Sequence, residues 1–168
     1  MKQKIESLIE MYGLAHGALS LGTPAYKENK QYINNDYKTI GKAFKALLGY
    51  SLVLYSLELF LKTILKSIGA RFDRCGHNIP SLYMVLRNSN PSVSEAIELK
   101  FQKKDFDSWL KSHTIFKVGE KDVLAYDFFR YLHDYEGEGF DSIETSSEIV
   151  KLTRIVAKRA SQSVLEDA

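Results

Sequence analysis

Apolar positions recur at helical spacing along most of the chain, and the densest run, Ser51 to Ile68 (SLVLYSLELFLKTILKSI), organises the rest. On a helical wheel Val53, Leu54, Leu57, Phe60, Leu61, Ile64, Leu65 and Ile68 fill a wide apolar arc, while Leu52 and Leu59 form a second apolar zone. Such a helix needs neighbours on two sides. Between the zones runs a narrow stripe of Ser51, Tyr55, Glu58, Lys62 and Lys66, which sets Glu58 and Lys62 one turn apart among apolar residues.

The same periodicity predicts a first helix over residues 3–21, carrying Ile5, Leu8, Ile9, Tyr12, Ala15 and Leu19, with Gly22 and Pro24 as its stop. Residues 25–37 are polar and tyrosine-rich, compatible in part with helix packed through Tyr26, Ile33 and Tyr37. Asp36 is a candidate cap for the next helix. Ile40, Phe44, Leu47 and Leu48 lead inward to the central stretch, giving one long helix or two nearly collinear ones from Tyr37 to Ile68, with Gly49 as a possible kink.

After the loop GARFDRCGHN, Asn78 is placed to cap a short helix through Ile79, Leu82, Tyr83 and Leu86. Pro91 suits a first helical turn, and Ser92 with Glu95 has the form of a capping box ahead of Val93, Ile97 and Phe101. A short turn around Trp109 comes next. Residues 114–121, TIFKVGEK, are the least helical and suit a small hairpin or a plain loop. Helical spacing resumes through Leu124, Phe128, Leu132 and Tyr135 and breaks at EGEGF. Asp141 with Glu144, or Thr145 with Glu148, opens a last helix that buries Ile149, Leu152, Val156 and Ala160. With no repeat or dividing linker, residues 1–168 read as one all-α domain, an up-and-down helical bundle around the long central helix.

Composition adds limits more than direction. A chain of 168 residues, 45% hydrophobic and 26% charged, has ordinary globular proportions. Its net charge of +2 is too small to argue for nucleic acid unless the cations cluster. The single cysteine, Cys75, excludes an intramolecular disulfide and points to a reducing, cytoplasmic location. Glu6 and Glu10 make the amino terminus unlike a secretory signal. Glu58 and Lys62 interrupt a stretch already shorter than the roughly 20 apolar residues of a membrane span, so a soluble core helix is expected, with no membrane partner.

Among residues that could carry chemistry, Glu58 and Lys62 form either an ordinary surface pair or a partly buried carboxylate that needs a second cation, for which Arg130 is the candidate. His77 stands at a helix entrance. The four histidines, His16, His77, His113 and His133, are scattered, and neither metal-ligand spacing nor a phosphate loop appears, so no metal and no cofactor are expected. Lys151, Arg154 and Lys158 line one face of the last helix beside Arg159. That is usually a solvated face, but it is also the best basic stripe for a phosphate backbone.

SLELFLK at 56–62, GHNIPSL at 76–82 and FFRYLHDYE at 128–136 together resemble the HEPN superfamily of prokaryotic helical bundle proteins, over roughly residues 40–136. The matching positions are Glu58, Lys62, Gly76, His77, Arg130, Tyr131 and Glu136. The resemblance implies a homodimeric bundle with a role in prokaryotic defence or stress, in toxin and antitoxin pairs beside a nucleotidyltransferase-like partner, or in RNA or nucleotide handling. Many members are metal-independent ribonucleases with an Arg and a His a few residues apart on a late helix. Here Arg130 and His133 are closer than that motif, and Arg71 with His77 falls in a loop. Three functions are open: a non-catalytic module binding RNA, a nucleotide or a partner at a polar cleft of Glu58, Lys62, His77 and Arg130; a metal-independent endoribonuclease; or a protein-interaction module in which the polar set is structural.

Overall fold

The computed structural model describes residues 2–33, 40–118, 121–124 and 145–167. Among these, the chain is an all-α bundle of six α-helices with one small hairpin. The helices are α1 (Lys2–Asn29), α2 (Ile40–Ser67), α3 (Ile79–Ser89), α4 (Pro91–Glu98), α5 (Phe106–Thr114) and α6 (Ser147–Asp167), and a single turn of 3₁₀ helix comes after α1 at Lys30–Tyr32. Strands β1 (Ile115–Val118) and β2 (Lys121–Leu124) pair antiparallel, Ile115 opposite Leu124. Of the two options for residues 114–121, the hairpin is therefore the one that forms. Leu124 pairs in it instead of opening a helix. Asp36, Phe128, Leu132, Tyr135, Asp141 and Glu144 lie outside the described residues.

The central helix is as anticipated: Val53, Leu54, Leu57, Phe60, Leu61, Ile64 and Leu65 are buried, each contributing about 1.5–3 kcal/mol for a large apolar side chain. α1 runs antiparallel along it, since Lys66 Nζ donates to Ser7 Oγ at 2.5 Å and Ser56 Oγ donates to the Ala15 carbonyl at 2.7 Å. α6 packs against both α2 and α1 and buries Ile149, Leu152, Val156 and Ala160. The expected stop of α1 at Gly22–Pro24 is wrong. Gly22 lies where the two helix backbones meet: a Cβ there would stand 2.6 Å from the Gly49 carbonyl, and one on Gly49 would stand 2.5 Å from the Tyr26 nitrogen. Gly49 is thus a close-approach residue within continuous helix. Pro24 faces solvent, where water can take the carbonyl its ring leaves unbonded, and Tyr26 beyond it is buried with its ring 5.0 Å from that of Tyr50.

Four residues placed inward by periodicity, Ile9, Phe44, Leu48 and Ile68, are exposed because they sit on flanks that no described neighbour covers. By length and composition α2 passes as a membrane span, but its apolar side chains form the core of the bundle.

The short helices form a side layer held by side-chain caps. Asn78 accepts from the Ser81 amide at 2.9 Å, and Asp105 from the Ser108 amide at 3.0 Å. α4 is capped by Asn90 with Pro91 next in the chain, not by the Ser92–Glu95 box; Ser92 Oγ instead bonds Asn90 Oδ1. At α6, Ser146 Oγ accepts from the Glu148 amide in place of Thr145. Arg87 of α3 joins Glu98 of α4 to Asp107 of α5 through bonds of 2.7–3.1 Å.

Candidate functional site

The backbone turns at Gly76, whose φ of +55° is a left-handed conformation that favours glycine, and this brings His77 over the middle of α2. Its Nδ1 lies 2.8 Å from Oε1 of Glu58, and Lys62 Nζ lies 2.7 Å from the same oxygen. A carboxylate only accepts, so Nδ1 carries the hydrogen. Glu58 is 2% exposed, which makes the two partners necessary: a buried carboxylate without them would be expensive. The partly buried reading of the Glu58–Lys62 pair is therefore the one that applies. Its partner from another element, among the described residues, is His77; Arg130, the expected cation, lies outside them with Tyr131 and Glu136.

A carboxylate fixing an imidazole is an arrangement used to orient a general base. The cavity beside it, lined by Ser51, Leu54, Tyr55, Ile79 and Thr114, holds about 20 Å³. That admits roughly one water molecule and no nucleotide. Within the described residues the cluster is a polar joint between α2 and the entrance to α3, in which Glu58 is buried and His77 stays partly exposed.

A much larger groove, about 670 Å³, opens at the other cations. Ile149, Leu152, Val156 and Ala160 point into the core, so helical geometry turns Ser147, Lys151, Arg154 and Lys158 to a common outer side. Lys27 enters from the end of α1, and Leu99, Lys100 and Gln102 from the turn after α4. Among the described residues five cations and no carboxylate line the groove, and none of the five makes an ion pair with another described residue. Two acids on the elements that form the groove are engaged elsewhere: Glu98 by Arg87 at 2.8 Å, and Glu148 by Lys103 at 2.6 Å. Lys151 Nζ stands 5.5 Å from the centre of the Phe101 ring, a cation–π contact that steadies it. Gln102 holds a φ of +48°, a conformation costing about 1–2 kcal/mol for a residue with a Cβ. Converging uncompensated positive charge of this kind attracts polyanions.

Comparison with known proteins leaves these observations to stand alone: no family model, no curated protein and no solved structure matches the chain. The site candidates therefore divide by geometry. Glu58, Lys62 and His77 come together in a polar joint with little volume beside it. Lys151, Arg154 and Lys158 share an open groove. Lys27, Lys100 and Gln102, which also line it, had no signal in the linear sequence, because each is far along the chain from the α6 stripe it joins.

Proposed function

We propose that this protein binds RNA without cutting it, seating the phosphates on Lys151, Arg154 and Lys158 with Lys27 and Lys100 opposite. The supporting observation is the lining: among the described residues, five cations with no carboxylate around about 670 Å³, in a chain of net charge only +2. The joint at Glu58 has no comparable volume, so a polar ligand cleft there is the weaker candidate. A HEPN-like bundle used as an accessory RNA-binding module is consistent with this reading.

Fluorescence anisotropy of a labelled RNA, measured across a salt series, tests it. Affinity should fall steeply as salt rises, and Arg154→Ala should weaken binding to every sequence while flattening the log–log salt slope by about 0.7–1. Affinity independent of salt, or an unaltered slope in the variant, would refute the proposal. A ribonuclease is the second reading, favoured by the His77–Glu58 contact alone.

A further inference from the structure

Gln102 differs from the rest of the groove lining in backbone and in chemistry. Among the described residues it is the one non-glycine with a positive φ, in a turn that glycine or asparagine would adopt more readily. The turn that ends the helix, closed by the Gln102 amide donating to the Glu98 carbonyl at 3.2 Å, imposes this conformation, and residues so held are frequent at binding sites. The lysines and the arginine around it only donate hydrogen bonds, and Leu99, Val150 and Ile155 carry no polar side-chain atoms. Ser147 Oγ already accepts from Lys30 Nζ at 2.9 Å. Gln102 thus brings to the groove an amide that donates and accepts side by side.

A phosphate or sulfate presents acceptors, which the cations satisfy without help. A donor beside an acceptor is what the edge of a nucleobase presents. Leu99, on the same turn and 75% exposed, offers an apolar surface against which the face of a base can rest. In an RNA duplex the Watson–Crick edges are paired, the major groove is too narrow for side chains, and the wide minor groove is recognised mostly by its shape, so a base is read most fully when it is unpaired.

We infer that the groove takes single-stranded RNA, with phosphates along α6 and an unpaired base laid on Leu99 and read by the Gln102 amide. This rests on the RNA-binding reading above and adds to it the strandedness and the base-contacting residue.

The experiment is anisotropy with the full chain at low salt, using oligo(A), oligo(C) and oligo(U) of equal length, an RNA duplex, and inorganic polyphosphate as competitor. Wild type should bind its best single strand about tenfold more tightly than the duplex and than its weakest single strand. Gln102→Gly removes the amide and suits the turn, so its melting temperature should not fall. Its spread among the three oligomers should collapse to about twofold, with the salt slope unchanged. A spread that survives in Gln102→Gly overturns the inference, as does wild-type binding to duplex or polyphosphate as tight as to single strand. Failure of the groove itself looks different: no probe binds, or Arg154→Ala binds all of them as wild type does.

Discussion

His77 Nδ1 and Lys62 Nζ converge on one oxygen of Glu58, at 2.8 and 2.7 Å, so a histidine from the α2–α3 loop and a lysine from α2 share one buried carboxylate. Catalysis on RNA would need that imidazole within hydrogen-bond reach of a 2′-hydroxyl and a cation at the phosphate, in a space that admits both. The adjoining cavity, about 20 Å³, admits no nucleotide, and Lys62, the cation beside His77 among the described residues, is already bonded to Glu58. Purified protein incubated with structured and unstructured RNA in chelator should therefore leave both intact. Cleavage by wild type that His77→Ala loses would promote the nuclease reading.

The crossing of α1 and α2 makes glycine substitutions diverge in sign. Gly49→Ala places a methyl within 2.5–2.8 Å of α1 and should destabilise by about 1–3 kcal/mol through overpacking. Gly17→Ala, on α1 with nothing within 4 Å of its Cβ, should stabilise by about 0.5–1 kcal/mol through helix propensity. Urea midpoints of the two variants check this. Shifts in the same direction would contradict the close approach at Gly22 and Gly49.

Hydrogen bonds from the Arg87 guanidinium hold the Asp107 carboxyl below the usual carboxylate range. A depressed folded value means the contribution is complete above the unfolded pKa, about 3.9, and is lost as pH falls through the lower folded value. Wild type should lose stability on acidification below about pH 4. Arg87→Met should begin less stable and show a flatter acid limb. Parallel acid limbs in a pH series of urea melts would show that the clamp joining α3, α4 and α5 contributes nothing.

The exposed Leu14, Leu21, Phe44 and Leu48 lie on the first two helices, and covering them with a second copy fits the homodimer expected from the sequence. Sedimentation equilibrium at micromolar concentration should then give about twice 19.2 kDa. A single species at the monomer mass would count decisively against the dimer.

Local rules made much of the fold legible. Periodicity placed the core of α2, and cap chemistry placed Asn78 and Pro91, because those features depend on residues within a turn or two of one another. The α6 stripe was legible for the same reason, since Lys151, Arg154 and Lys158 repeat at helical spacing. Gly22 and Pro24 misled: their local tendency to end a helix was outweighed by the burial of Tyr26 and by the need for a side-chain-free contact with Gly49. Nor does spacing say that His77 closes over Glu58, or that Lys27 and Gln102 meet α6 across a groove. Those relationships join positions far apart in the chain, and packing alone brings them within reach. Tertiary structure therefore decided which polar residues pair in a joint and which line an open groove, because burial and pairing depend on neighbours that the order of residues does not specify.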